Sequence, residues 1–204
     1  MRIVAGKFRR RKLQSNPGDT TRPITDRAKE LLFENLGGEL QGERVADVFA
    51  GTGTIGLEAL SRGASSVVFF EKDRQAHELL KENVAMLEAT DETVCWKIDV
   101  LRTSFRPQGV DHLFPYDLIF FDPPYAMVAD IHPPTALYKS LARLARDAVS
   151  SNNALLVLRT PKHAEFEMPP LWHAGNTYEV SNMKFFLYRK QAENIETTDI
   201  ETPP

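Results

Sequence analysis

Asp122-Pro123-Pro124-Tyr125 follows the very apolar run Tyr116–Phe121, and these four residues pose the chemical question. Two consecutive prolines fix φ and remove two backbone donors, so the chain must leave a strand there along a stiff path. The Pro123 carbonyl then has no ladder partner and can face a cleft beside a carboxylate and an aromatic ring. That set suits a planar base carrying an exocyclic amine. Tyr125 would stack on the ring, while Asp122 and the Pro123 carbonyl accept the two N–H bonds. The nitrogen lone pair is thereby drawn out of conjugation, and orientation and charge placement carry the rate without a strong base.

A second group lies upstream in VADVFAGTGTIG, where Gly51, Gly53 and Gly56 follow G-x-G-x-x-G spacing. Gly51 and Gly53 would let the backbone pass close under a ligand. Three carboxylates are expected at strand ends: Asp47 within the first strand, Glu71 ending the second and Asp99 ending the third. In an open α/β sheet, ligands bind outside the carboxyl ends of the strands. Glu71 lies 20 residues beyond Gly51, where an acid can grip two ribose hydroxyls. A plain tight turn would also explain the glycines, and helix capping would explain Asp47 or Asp99 taken singly. This group fits a nicotinamide dinucleotide and S-adenosylmethionine equally, since both carry adenosine. The amine-gripping set at 122–125 decides for the methyl donor.

Alternating elements must position these residues. Thr25 can cap a helix running to Leu36, with Ala28, Leu31 and Leu32 on one face, ended by Gly37 and Gly38. RVADVF, SVVFFE, TVCWKID, YDLIFFD, NALLVLRT and KFFLYRK read as strands. GLEALSRGA, Arg74–Leu87 and Ala136–Val149 read as helices between them. Strands separated by helices of ten or more residues imply βαβ units and a parallel sheet covered on both faces. Trp96 and the Phe120–Phe121 pair are expected in the core, and His132–Pro134 in a loop beside the site that would suit a substrate lid.

Charge is unevenly distributed. Residues 1–30 hold nine Lys/Arg against three acids, a balance of +6 that leaves −9 for the rest of the chain. Such asymmetry suits a basic arm on a mildly acidic body, aimed at a polyanion. Ile3, Val4, Phe8 and Leu13 are interleaved with the charges, as in a strand or hairpin with one apolar face. Asn16–Asp19 reads as a turn. Residues 191–204 carry four acids and no bases, and read as a disordered acidic tail. No apolar run approaches the roughly 20 residues of a membrane span. The single Cys95 excludes an intrachain disulfide and a cysteine-built metal site, and suits a reducing, cytoplasmic setting. The five histidines lack metal-ligand spacing, so no metal is expected.

MRIVAGKFRRRKL, TRPITDRAKELLFENL, DVFAGTGTIGLEALSRGASSVVFFEKD and FFDPPY stand in the order and spacing of one family. Across residues 1–126 the chain resembles the RsmD-type bacterial small-subunit rRNA (guanine-N2)-methyltransferases. The resemblance implies a Rossmann-like class I methyltransferase fold over 21–190. Its sheet would be mostly parallel and seven-stranded, with helices on both faces, a C-terminal antiparallel hairpin and a basic N-terminal β extension over 1–20. It implies S-adenosylmethionine as cofactor, bound by Asp47, Ala50, Gly51, Thr52, Gly53, Lys72 and Val100, with Glu71 at the ribose hydroxyls and Asp99 at the adenine amino group. Asp122, Pro123, Pro124 and Tyr125 would hold the target base.

Arg2, Lys7, Arg9, Arg10, Arg11, Lys12 and Arg22 would contact ribosomal RNA, free or within an assembling small subunit, and the chain would act as a monomer. Ile24 departs from the family pattern, which has a threonine there, and NTYEVSNMKFFLYRK follows the family's ending only loosely. Three alternatives remain beside this reading. They are an adenine-N6 methyltransferase on RNA or DNA, an NAD(P)-dependent oxidoreductase that would leave Asp122–Tyr125 without a task, and a catalytically silent RNA-binding scaffold.

Overall fold

The computed structural model describes residues 1–15 and 24–191; Asn16–Asp19, Arg22 and the acidic tail from residue 192 onward lie outside them. The elements run α1 (Asp26–Asn35), β1 (Arg44–Val48), α2 (Thr54–Ser61), β2 (Ser66–Glu71), α3 (Arg74–Met86), β3 (Thr93–Lys97), β4 (Tyr116–Phe121), α4 (Ala136–Leu144), β5 (Ser150–Pro161), β6 (Trp172–Val180) and β7 (Met183–Lys190). They build one seven-stranded sheet in the order β3-β2-β1-β4-β5-β7-β6. β3, β2, β1, β4 and β5 are parallel, and β7 runs antiparallel to both β5 and β6.

The strand order explains how the two faces are covered. From β1 the chain moves outward through β2 to β3, then returns to pair β4 with the other side of β1. Right-handed crossovers therefore place α2 and α3 on one face and α4 on the other. Side chains of β2 alternate accordingly. Val67 and Phe69 pack with Leu57, Leu60 and Leu80 from α2 and α3, whereas Val68 and Phe70 pack on the face of Leu137 and Leu141 from α4. Phe120 and Phe121 divide between these two cores, as expected of a strand buried on both faces. Trp96 packs only partly buried against the second core, 5.7 Å from Phe70.

Side chains set the helix starts. Thr25, Asp73 and Thr135 each accept the amide of the third residue beyond, at Ala28, Ala76 and Tyr138. α4 stops at Leu144, five residues before the end the sequence pattern predicts. There the Arg146 carbonyl accepts the amides of Val149 and Ser150, at 2.8 and 3.0 Å, and turns the chain into β5. Two helices are shorter than the predicted ten residues, with eight in α2 and nine in α4. The β3–β4 connection carries no α-helix, only a 3-10 turn at Asp111–Leu113.

The basic arm forms no regular strand, but it doubles back on itself as a hairpin-like loop, with Ile3 N donating to the Arg11 carbonyl and Leu13 N to the Met1 carbonyl, both at 2.9 Å. Its one ladder contact is the bridge between Arg2 and Lys12, with turns and bends between them. The interleaved apolar residues nevertheless anchor it as their pattern predicts. Ile3 and Leu13 are buried in the core of α1, α2 and α3, and Phe8 packs against it. At the opposite edge, β6 is mostly exposed and its pairing with β7 slips between Ala174 and Thr177.

Candidate active site

Chain reversal at β1 and β4 opens a cleft of about 750 Å³ at the carboxyl ends of the strands. Its floor begins with the glycine loop. Gly51 and Gly53 both adopt positive φ, +55° and +82°. A Cβ on Gly53 would lie 2.4 Å from a Leu80 methyl and would sit on a left-handed backbone, so any other residue there strains φ and forces the Leu80 side chain to shift. Gly56 has a different task, because it lies inside α2, where a Cβ would meet Phe69 at 2.4 Å. That position lets α2 rest directly on the sheet. Phe49 enters the loop at φ +65°, an uncommon conformation for a bulky residue, and sets its ring edge-on against Phe121 at 5.4 Å. Sequence periodicity gives no sign of it.

Carboxylates tie this loop to the strand ends. Asp47, 1% exposed, accepts the Gly56 amide at 2.8 Å. Burial pushes its carboxyl up to about 8; the Gly56 hydrogen bond opposes this, and the nearby Asp122 and Glu71 charges add to it. Glu71 accepts the amides of Gly51 and Asp73, both at 2.7 Å, and thereby locks the loop to the end of β2. Burial raises its pKa too, against those backbone bonds. Asp99 stands two residues beyond β3, accepts the Leu101 amide at 3.0 Å and faces Lys72 at 3.5 Å. Ala50, Thr52 and Val100 complete this wall.

Asp122 follows β4 at the point where its amide reaches the Val48 carbonyl, so β1 and β4 end side by side. The diproline carries the chain along the cleft, and Pro123, Pro124 and Tyr125 line it. No hydrogen bond reaches the Pro123 carbonyl among the described residues, whereas the Pro124 carbonyl takes the Met127 amide at 2.8 Å. Asp122 is paired with Arg159, whose Nε donates to Oδ1 at 2.6 Å. Burial raises the Asp122 pKa and Arg159 opposes that rise. The sequence reading missed Arg159. Its signal is one cation ending the apolar run ALLVL, and its meaning depends on Phe121 pairing with Leu158, which sets Arg159 level with Asp122. Met1, Ile24 and Asn182 also line the cleft, and none of residues 132–134 does.

The arm residues do not converge on this cleft. Arg2 pairs with Asp26 at 2.7 Å, Lys7 with Glu92 at 2.6 Å, and Arg11 donates to the Met86 carbonyl at 2.6 Å. The arm's tip is fixed at the far end of α2, where Lys7 donates its amide to the Ser61 carbonyl. Eight residues of helix put that tip ~12 Å from the glycine loop. Arg9, Arg10 and Lys12 are exposed, with no salt bridge among the described residues.

A sheet of this order, with the glycine loop after β1 and an Asp-Pro-Pro-Tyr turn after β4, defines a class I methyltransferase. The solved structure of yhhF from Escherichia coli has the same fold, with a TM-score of 0.76 and 25% identity over 95% of this chain and 99% of that one. Residues 1–189 match the family model described as Conserved hypothetical protein 95. The chain is 37% identical over 200 residues to ribosomal RNA small subunit methyltransferase D of Escherichia coli strain K12, across 98% of this chain and 94% of that relative. It is 32% identical over 194 residues to the protein of that name in Haemophilus influenzae, across 93% of each. The chain belongs to this ribosomal RNA small subunit methyltransferase D family.

The cleft suits the cofactor of such a fold. Five carboxylates line it (Asp47, Glu71, Asp73, Asp99 and Asp122) against two cations, Lys72 and Arg159. With Asp47 protonated near neutral pH, four carboxylates against two cations still favour a ligand bearing positive charge, as S-adenosylmethionine does at its sulfonium and ammonium groups. Among the described residues no group of three or more His, Cys, Asp or Glu is placed to hold a metal ion, and no helix is long and apolar enough to cross a membrane.

Proposed function

We propose that this chain methylates the exocyclic N2 amine of a guanine in small-subunit ribosomal RNA. Its cofactor is S-adenosylmethionine, and the family to which it belongs methylates ribosomal RNA. The observation that carries the finer reading is the opening of the Asp122–Tyr125 turn into the same cleft as the glycine loop.

Bound S-adenosylmethionine supplies an electrophilic methyl group. The protein's part is to hold the nucleophile. Asp122 and the Pro123 carbonyl accept the two N–H bonds of the amine and aim its lone pair along the cleft. Tyr125 supports the base, which must leave its stack at a cost of a few kcal/mol, least in a loop or mismatch. Glu71 and Asp99 hold the ribose and adenine ends of the cofactor, and Asp47 lies at its methionine side. Arg9, Arg10 and Lys12 offer phosphate contacts on the flank of α2, so the RNA extends beyond the cleft around that side.

Labelled cofactor incubated with small-subunit RNA, free and partly assembled, tests this directly. Digestion to nucleosides should return labelled N2-methylguanosine. Labelled N6-methyladenosine would overturn the choice of base, because either amine satisfies Asp122 and Pro123. Transfer to DNA alone would overturn the choice of polymer.

A further inference from the structure

We infer that Arg159 is a positioning residue of this site. It fixes one oxygen of Asp122 so that the other faces the target amine, and it offers a second donor to the base carrying that amine. This rests on the reading of Asp122–Tyr125 as the amine-binding turn. The two side chains are 9% and 13% exposed and 2.6 Å apart, a short charge-assisted bond in a water-poor setting. Among the described residues that bond, from Nε, is the single one Asp122 accepts, so half the carboxylate keeps its capacity for a ligand.

The other end of the guanidinium shows what the ligand must offer. Arg159 Nη1 is buried and has no hydrogen-bond partner among the described residues. A buried, unpaired cationic donor costs stability, and such groups in native proteins call for an explanation. Arg159 lines the cleft, and its guanidinium lies 5.7 Å from the centroid of the Tyr125 ring, the surface on which a base would rest. Placed beside Asp122 and the Tyr125 ring, this donor is assigned to the substrate base; the methionine carboxylate of the cofactor is the competing acceptor, and S-adenosylhomocysteine affinity separates the two. In a purine an acceptor always flanks the exocyclic amine: ring N3 beside the N2 amine of guanine, N1 beside the N6 amine of adenine. A donor next to the amine-binding carboxylate matches that atom.

Arg159 also sets the protonation state on which this arrangement depends. Asp122 faces Arg159 from β5 and lies near Asp47 of β1, so burial disfavours its charge and the one guanidinium supports it. Protonated, Asp122 would present a donor to the amine and lose its grip on the N–H.

Arg159→Met, which keeps the buried stem, and Arg159→Lys, which keeps the charge, separate the two roles. In the full-length chain, kcat and KM for small-subunit RNA are measured from pH 5 to 9, with S-adenosylhomocysteine affinity as the control for fold and cofactor site. Arg159→Met should move the acidic limb of kcat/KM upward by about one to three pH units, the size of a lost neighbouring charge, and lower kcat at pH 7 at least tenfold. Arg159→Lys should restore most of the acidic limb while KM for RNA stays several-fold high, because one ammonium cannot both clamp Asp122 and reach the ring. S-adenosylhomocysteine affinity should change less than twofold in either. An Arg159→Met profile and KM equal to wild type would overturn the inference. So would loss of S-adenosylhomocysteine binding in both variants, which would assign Arg159 to the fold or the cofactor. A wild-type chain that binds S-adenosylhomocysteine yet methylates no RNA would instead overturn the functional reading, and this inference with it.

Discussion

Glu58 on α2 and Asp122 after β4 are both carboxylates held out of water, each within reach of an arginine. Glu58 is fully saturated. Its Oε2 accepts Val4 N at 2.8 Å and Lys29 Nζ at 3.3 Å, and its Oε1 accepts Ala5 N at 3.0 Å and Arg62 Nε at 2.9 Å. Lys29, wholly buried, completes the group by donating to the Arg2 carbonyl. Four donors use up the acceptor capacity of a carboxylate, so this cluster has nothing left for a ligand. It clips the N-terminal arm to the domain. Asp122 takes one donor, and its arginine keeps another unspent. Of two buried acid–base groups in one small domain, the saturated one is structural and the unsaturated one is chemical.

Breaking each group should therefore give opposite phenotypes. The largest effect on stability is expected from Glu58→Ala, which strands buried Lys29 and two amides. Loss of about 3–5 kcal/mol in urea unfolding is expected; a loss under about 1 kcal/mol would undo the distinction. Asp122→Asn, whose amide oxygen can still accept from Arg159 Nε, should cost less stability than Glu58→Ala yet slow methyl transfer ~10²–10³-fold, the usual cost of one preorganised hydrogen-bonding group. Gly53→Ala should cost about 1–3 kcal/mol and weaken cofactor binding, since it strains φ and drives a methyl into Leu80. Calorimetry with S-adenosylhomocysteine would read the second part.

Asp47 sharpens the contrast through pH. Its pKa rises on folding from 3.8 to about 8, so the folded state holds a proton that the unfolded chain has released. Its contribution is complete below about pH 4 and is lost as pH rises toward 8. The melting temperature of the ligand-free protein should fall across that window, and Asp47→Asn should flatten the fall. The smallest effect is reserved for the arm. Arg9→Ala with Arg10→Ala should alter stability by less than about 0.5 kcal/mol. If both residues meet phosphates, RNA binding should lose a salt-dependence slope of ~0.7 per contact; an unchanged slope would remove them from the interface.

What could be read in the chain beforehand was whatever is local. Diproline stiffness, glycine spacing and acids at strand ends are properties of short stretches, so the Asp122–Tyr125 turn, Gly51, Asp47 and Glu71 all line the cleft, whereas Gly53 turns toward Leu80 in the core. Arg159 escaped because its meaning lies in the register of β4 against β5, about forty residues apart in sequence. The arm was half legible. Alternating apolar residues announced burial of Ile3 and Leu13, but Glu58 takes the amides of Val4 and Ala5 that a strand would have given to a ladder. The end of α4 was hidden for a similar reason, since Leu144, Ala145 and Val149 keep a helical pattern of burial through the turn.

The slipped pairing of β6 bears on how this protein behaves when crowded. A flat outer strand with open N–H and C=O groups is an invitation to a second copy. Here the register slip between Ala174 and Thr177 bends the strand, and Glu179, bonded to both Lys162 and Lys184 at 2.9 Å, puts charge beside it. Straightening that bulge by deleting Asn176 would be a route to aggregation with the cleft itself untouched.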